Sequence, residues 1–210
     1  MVHYKLTYFD VRDLGEVSRQ LFHLANVEFE DKQVPRMNTA EFEKLKPSLP
    51  FGQLPILEID GVTISQSSAI GRYLARKFGF AGKTAIEEAQ VDEIIDLFKD
   101  FLNTQKQYHL AYRQGKSQEE LKTIIETAIN PVKKVYFSAL NQKLGASKSG
   151  FLVGDSLTWA DLQIAENLTT LKGFGIFTPS EEPLLNAFHQ KILETPKLKE
   201  YLEKRPHSDL

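Results

Sequence analysis

The sequence contains no cysteine, which excludes disulfide bonds, thiolate metal sites and an internal thiol nucleophile. Any thiol chemistry would depend on a thiol that a ligand supplies. No apolar run approaches the roughly 20 residues of a membrane-spanning helix. The five histidines show no i, i+4 or clustered spacing, so we predict no metal site.

The chain also lacks a surplus of one charge sign. Its 26 basic residues stand against 28 acidic ones, a formal net charge of −2, and no long single-sign block occurs. We therefore expect neither nucleic acid nor an anionic membrane as a partner.

What is present is the composition of an ordinary soluble globular protein. Of 210 residues, 41% are apolar and 26% are charged, which suffices for one large core or two small ones. The segment from Met1 to Phe9 alternates apolar and polar residues, which predicts a strand that begins at the N-terminus, and we expect no signal-peptide stretch ahead of it. We expect a cytoplasmic protein.

The most informative segment runs from Leu49 to Ile70, LPFGQLPILEIDGVTISQSSAI. Asp60-Gly61 lies between two apolar, β-branched runs, which predicts an antiparallel hairpin from Leu54 to Ile64. A cis bond before Pro55 would turn the N–H and C=O of Leu54 outward, free to pair with an extended ligand.

A polar helix start follows this hairpin at Gln66, Ser67 and Ser68. The free N–H groups and the dipole of a helix N-terminus attract a carboxylate or a phosphate. The simpler alternative is that Ser67 only caps the helix.

The elements fall into two halves. Residues 2–9, Glu16 to Ala25 and Glu28 to Val34 are predicted as strand, helix and strand, and the hairpin and the Ser67 helix complete a βαβ–ββα order. GFAGK at 79–83 interrupts this pattern, which predicts a linker between a domain at 1–78 and an all-helical domain at 84–210.

Two local signals mark helix boundaries in the second half. Pro131 predicts a kink or a break near Ile129, because proline cannot supply the helical N–H. In TWAD, Thr158 as the N-cap and Asp161 three residues later predict a capping box, which is a folding feature without a catalytic role.

A βαβ–ββα half with a candidate cis-proline resembles thioredoxin, but the redox cysteine pair is missing and a helical half follows. Four motifs recur in order across nearly the whole chain: YKLTYF at 4–9, PFGQLPILE at 50–58, QSSAI at 66–70 and GDSLTWAD at 154–161. Together they resemble a cytosolic glutathione transferase, most closely the sigma class, which includes the glutathione-dependent prostaglandin D synthases of haematopoietic type. The resemblance implies a thioredoxin-like domain followed by an all-helical domain. It also implies glutathione as the co-substrate, no required metal, and a cytoplasmic homodimer.

The resemblance also implies residue roles. Tyr8 matches the catalytic tyrosine, whose hydroxyl donates a hydrogen bond to the glutathione sulfur. Gln66 and Ser67 would hold the γ-glutamyl carboxylate, and Leu54 would pair its backbone with the cysteinyl part ahead of Pro55. The further implied glutathione contacts are Gln53, Lys46 and Phe42 near the glycyl end, with Phe42 where relatives often carry tryptophan, and Asp100, which reaches the other subunit's glutathione.

The sequence departs from the family pattern after Arg12. Relatives usually continue with glycine and then often arginine or alanine, whereas this chain has Asp13 and Leu14. The added negative charge and the missing arginine predict weaker sulfur activation, left to Tyr8 and the local backbone dipoles. The implied electrophile pocket consists of Phe9, Val11, Leu14, Leu102, Gln107, Tyr108 and Leu210.

These features predict a homodimeric glutathione transferase that conjugates the thiolate to apolar electrophiles. The alternatives among enzymes are a glutathione-dependent prostaglandin D isomerase and a lipid peroxidase. The alternative outside enzymes is a non-catalytic ligand-binding or crystallin-like structural relative. Phe51 matches the aromatic residue that some classes insert into the partner subunit, and its alternative is a place in the core of its own chain.

Overall fold

A four-stranded mixed sheet forms the first half of the chain in the computed structural model, which describes residues 2–36 and 39–208. Its strands are β1 (Tyr4–Phe9), β2 (Glu30–Val34), β3 (Ile56–Ile59) and β4 (Val62–Ser65), in the order β2-β1-β3-β4. The central strand β1 runs parallel to β2 and antiparallel to β3, and β3 and β4 form the predicted antiparallel hairpin.

Helices flank this sheet and build the rest of the chain. In the first half they are α1 (Glu16–Ala25), α2 (Thr39–Leu45) and α3 (Ser67–Phe78). In the second half they are α4 (Ala85–Arg113), α5 (Gln118–Ile124), α6 (Asn130–Ala146), α7 (Trp159–Gly173), α8 (Pro183–Leu193) and α9 (Pro196–Lys204). This arrangement confirms the predicted fold class, a thioredoxin-like domain followed by an all-helical one.

Several strand boundaries were predicted wrongly. β1 begins at Tyr4 and not at residue 2, and the hairpin strands extend from Ile56 to Ser65 and not from Leu54 to Ile64.

β2 begins at Glu30, two residues after the predicted Glu28. The preceding residues still close α1, because the Val27 N–H donates to the Phe22 carbonyl at 3.0 Å and the Phe29 ring stacks on Phe22 with centroids 4.3 Å apart.

The helix break near Ile129 takes the form of a π-helical turn, Ile125–Ile129, between α5 and α6. Pro131 lies in the first turn of α6, where its missing N–H removes no helical hydrogen bond. The proline therefore starts a helix here.

The predicted capping box is present at the start of α7. The backbone N–H and the hydroxyl of Thr158 donate to Asp161 Oδ2 at 2.7 and 2.8 Å, and the Leu152 N–H donates to Oδ1 at 2.8 Å. The buried carboxylate thus holds both the helix start and the preceding loop.

The two halves pack together through α3 and α7. The Trp159 N–H donates to the Phe80 carbonyl at 2.9 Å, and a Cβ added to Gly71 would lie 2.6 Å from the Trp159 ring. Glycine at position 71 therefore lets α3 approach the indole. Among residues 2–36 and 39–208, none of the helices combines the length and apolar character needed to cross a membrane.

A buried ion network fixes the second contact between the halves. The Arg12 guanidinium pairs with Glu166 on α7. Glu166 also accepts from Gln20 of α1 and from Arg205, each at 2.9 Å, and Arg205 reaches Glu16 of α1 at 2.6 Å. The loop after β1 is thereby anchored to both halves, next to Asp13 and Leu14.

Candidate active site

Tyr8 lies near the end of β1 with only 3% of its surface exposed. Its hydroxyl oxygen accepts a hydrogen bond from the Leu14 backbone N–H at 3.2 Å. Burial and the nearby Asp13 carboxylate raise the pKa of Tyr8 well above its ordinary value, against the opposing effects of Leu14 N–H and Arg36. The phenol therefore stays neutral at physiological pH, as a hydrogen-bond donor must.

The loop after β1 brings the Leu14 N–H to this hydroxyl. Asp13 has a φ of +31°, a conformation that few non-glycine residues adopt, and it begins the short 3₁₀ turn Asp13–Gly15. The Gly15 N–H closes the turn on the Arg12 carbonyl at 3.2 Å. This turn folds the chain back over the tyrosine, an arrangement that sequence analysis did not predict.

A polar rim forms where the hairpin meets α3. The Gln66 side-chain N–H donates to the Gln53 side-chain oxygen at 3.3 Å, and the Leu54–Pro55 bond is cis. The N-cap of α3 is Gln66, and no side chain caps the helix there. The alternative that Ser67 serves as the cap is wrong, because Ser67 is the first helical residue. The first N–H groups of α3 are thus directed toward this rim.

An aromatic and cationic cluster lies where the end of β1 meets α2. The Phe42 ring of α2 is 5.2 Å from the Phe9 ring, centroid to centroid, and Lys46 Nζ is 5.9 Å from the Phe42 ring. The structure therefore brings together three of the residues that the sequence selected.

A cleft of about 620 Å³ opens between the two halves. Of the predicted electrophile-pocket residues, Val11 lines it, whereas Leu14 and Leu102 line a separate cavity of about 20 Å³. Gln107 is exposed, and Tyr108 is 4% exposed and packs against Phe174. Leu210 lies outside the described residues.

Sequence analysis missed the wall of this cleft that α4 supplies. Leu110 and Tyr112 are 55% and 37% exposed, whereas Tyr108 and Ala111 of the same helix are buried. Leu110, Tyr112 and Arg113 line the cleft, together with Arg36 from the other half. The available signal was the apolar side chains that lie off the buried stripe of α4.

Two family models match the chain. The model described as "Glutathione S-transferase, N-terminal domain" matches residues 4–76, and that described as "Glutathione S-transferase, C-terminal domain" matches residues 99–205. The chain belongs to the glutathione S-transferase family.

Individual glutathione S-transferases are similar over the full chain. Glutathione S-transferase 3 of Caenorhabditis elegans is 55% identical over 99% of both chains. The structure of Na-GST-3 from Necator americanus, described as monomeric, has a TM-score of 0.91 at 41% identity and covers 99% of this chain and 100% of that one. A Nu-class glutathione S-transferase from Haemonchus contortus has a TM-score of 0.88 at 45% identity and covers 100% of both.

The protein is thus an enzyme of a family that uses glutathione as its co-substrate. The family alone does not decide the class, and the sigma class stays a prediction beside the Nu-class neighbour.

Two residues selected for subunit contacts are both on the surface of this glutathione S-transferase. Asp100 is exposed on α4. Phe51 is 66% exposed in the turn before β3, so its alternative as a core phenylalanine of its own chain is wrong.

Proposed function

We propose that Tyr8 activates glutathione and that the resulting thiolate attacks an apolar electrophile in the cleft between the two domains. The observation that carries the proposal is the buried, neutral Tyr8 hydroxyl, oriented by the Leu14 N–H. A neutral phenol that accepts one hydrogen bond is polarised to donate another to a sulfur anion.

The energetics suffice for thiolate formation. A hydrogen bond to a charged group contributes roughly 1.5 to 3 kcal/mol, and about 1.4 kcal/mol changes a pKa by one unit. Tyr8 would therefore lower the pKa of a thiol from about 8.5 to about 7. The thiol proton leaves to solvent, and the sulfur forms the new bond to the electrophilic carbon. The electron pair of the broken bond leaves with a displaced group or, in addition to an enone, moves from the C=C bond to the carbonyl oxygen, and the resulting enolate takes up a proton from solvent.

We further propose how glutathione is held. Gln66 and Ser67, at the α3 N-terminus, bind the γ-glutamyl carboxylate, since helix N–H groups and the dipole favour an anion there. The Leu54 backbone pairs with the cysteinyl part beside Pro55. The glycyl end lies against Gln53, Lys46 and Phe42, which the 5.9 Å contact between the last two supports.

We also propose that the enzyme belongs to the sigma class and acts in detoxification in the cytoplasm. Its two domains would comprise residues 1–78 and 84–210. Isomerisation of a prostaglandin endoperoxide by the purified protein would support the sigma class. Conjugation without isomerisation would count against the prostaglandin-isomerase alternative.

The deciding experiment is an ultraviolet titration of bound glutathione against pH, with dissociation constants measured alongside. Wild type is expected to give a thiol pKa at least one unit below that of free glutathione, and Tyr8→Phe should restore the free value while binding persists. Tyr4→Phe is the matched control, because Tyr4 lies on the same strand but packs in the core against Phe22. Equal thiol pKa values in wild type and Tyr8→Phe would reject Tyr8 as the activating group.

We propose a homodimer in which Asp100 contacts the partner's glutathione and Phe51 inserts into the partner subunit. The exposure of both residues supports this. Sedimentation equilibrium of wild type and Phe51→Ser tests it, with dissociation expected in the variant. A monomeric wild type, as described for Na-GST-3, would reject the dimer and the role of Asp100 together.

A further inference from the structure

We infer that the cleft selects electrophiles with an apolar body and a carboxylate, which Arg36 and Arg113 bind. This inference rests on the proposed function, because it names the substrate class of the same site. Two cations in the cleft form no ion pair with the residues that the structure describes.

The two arginines of the cleft differ from the other arginines of the chain. Of the seven arginines, Arg36 and Arg113 form no ion pair with any residue in 2–36 or 39–208, and both line the 620 Å³ cleft. The five that pair with carboxylates are Arg12, Arg19, Arg72, Arg76 and Arg205. The two arginines without an ion pair to any described residue thus both lie at the cleft.

The two cations come from opposite sides of the cleft. Arg36 follows β2 in the thioredoxin-like half, and Arg113 is the last residue of α4 in the helical half. A group bound by both would bridge the halves. A guanidinium presents planar, parallel N–H donors that match the two oxygens of a carboxylate.

Asp10, the acidic residue among the described lining, forms no ion pair with these arginines. Asp10 Oδ1 accepts the backbone N–H of Arg36 at 2.7 Å. This contact fixes the loop that carries Arg36, and within the described part of the chain the Arg36 guanidinium forms no ion pair. The described lining therefore holds two cations and one carboxylate, although the whole chain has a net charge of −2.

The rest of the lining suits an apolar body. Val11, Leu110 and Tyr112 form the wall, and Leu110 is 55% exposed within the described structure. A volume of about 620 Å³ lies within the range of small-molecule sites.

The cleft lies near the reacting group, because Asp10 and Val11 of its lining directly follow the β1 strand that carries Tyr8. Burial and Asp13 raise the pKa of Tyr8, and the Arg36 charge acts on Tyr8 in the opposite direction. Arg36 thus lies within electrostatic range of the hydroxyl. An acid bound beside it would place its apolar body between Tyr8 and the α4 wall.

The test compares two electrophiles that differ in one group: 4-phenylbut-3-en-2-one and the same enone with a para carboxylate. The quantity measured is the ratio of kcat/KM for the acid to kcat/KM for the neutral compound. We expect about tenfold in wild type at low salt, about threefold in Arg36→Gln and in Arg113→Gln, and about one in the double variant. The wild-type ratio should fall as salt screens the partly exposed charges.

Lys148→Gln is the matched control. Lys148 is an exposed cation in the loop after α6 and does not line the cleft. The substitution removes one positive charge, as each arginine variant does, and should keep the wild-type ratio of kcat/KM values. A wild-type ratio of one or below, or a preference that survives in the double variant, would overturn the inference.

Failure of the proposed function is distinguishable. If wild type conjugates neither enone, the proposed conjugation is rejected. The inference is then decided by calorimetry with the two corresponding saturated ketones, 4-phenylbutan-2-one and the same ketone with a para carboxylate. Tighter binding of the acid that is lost in the double variant supports it, and equal affinities reject it.

Discussion

Gly15 lies so close to the Tyr8 ring that a Cβ added to it would be 2.3 Å from Cδ1 of the tyrosine. The φ of Gly15 is −88°, which any residue adopts. Space, and not backbone conformation, therefore requires glycine here. The close packing of Gly15 on the ring holds the Tyr8 hydroxyl where the Leu14 N–H donates to it.

Gly15→Ala should displace the Tyr8 ring and lower kcat/KM for conjugation by about tenfold or more, because small shifts of a reacting group are costly. The overlap should also reduce the free energy of unfolding by about 1 to 3 kcal/mol. Steady-state kinetics and urea unfolding measure both. Gly145→Ala is the control, since nothing lies within 4 Å of the added Cβ. A fully active Gly15→Ala would contradict the proposed role of this contact.

Asp13→Asn should make the bound thiol more acidic. Asp13 raises the pKa of Tyr8, second only to burial, and its negative charge would likewise disfavour a nearby thiolate. Asparagine keeps the size and tolerates the positive φ. The ultraviolet titration should show the thiol pKa lower by up to about one unit. Glu181→Gln, the control, removes one exposed negative charge and should leave the thiol pKa unchanged. A higher thiol pKa in Asp13→Asn would refute the argument.

Arg12→Met should destabilise the protein by about 3 kcal/mol, because it leaves Glu166 buried with one cation fewer. The double variant Arg12→Met with Glu166→Leu should lose less than the sum of the single variants. Urea unfolding at equal protein concentration measures this coupling.

An exposed ion pair serves as the comparison for the Arg12 and Glu166 variants. Lys122 and Glu126 are 3.8 Å apart with largely exposed side chains, so Lys122→Met should change stability by less than about 0.5 kcal/mol. Additive losses for the Arg12 and Glu166 variants would show that the buried pair is not coupled.

His189 should make the protein acid-sensitive. Burial lowers its pKa to about 4, and its Nε2 lies 2.8 Å from the Thr169 hydroxyl. Between pH 6.5 and 4 the unfolded chain binds a proton that the folded chain does not, so stability falls as pH decreases through this range. Between pH 7 and pH 5, the free energy of unfolding of His189→Gln should fall by about 2 kcal/mol less than that of wild type. The exposed His3→Gln is the control, and parallel pH profiles for all three proteins would exclude His189 as the cause.

Local chemistry made several elements predictable. The Asp60-Gly61 turn determines the hairpin through conformations that these residues adopt readily. Thr158 and Asp161 mark the start of α7 because the capping box is a contact within four residues. α1 was predicted with its observed bounds from apolar spacing alone. Pro131 marked a real boundary, although the sequence did not indicate that a π-helical turn would precede it.

The candidate site was predictable only in part. Motifs identified Tyr8, Gln66 and Leu54 as site residues. They did not predict the contacts between residues that are distant in the sequence. The ion pair between Arg12 and Glu166 joins positions 154 residues apart, and no local pattern encodes such a pairing. Tyr108 was assigned to the pocket from the resemblance, whereas the neighbouring Leu110 lines the cleft because of the rotation of α4 about its axis.

The sequence by itself determined the order of the elements, the hairpin, the helix starts and the family to which the motifs point. These depend on backbone conformation and on spacing along the chain. Only the tertiary structure decided that the Leu14 N–H meets the Tyr8 hydroxyl, and that Arg36 and Arg113 share a cleft without ion-pair partners among the described residues. Those relationships arise when the halves pack against each other, because burial, charge compensation and cleft shape depend on neighbours that are distant in sequence.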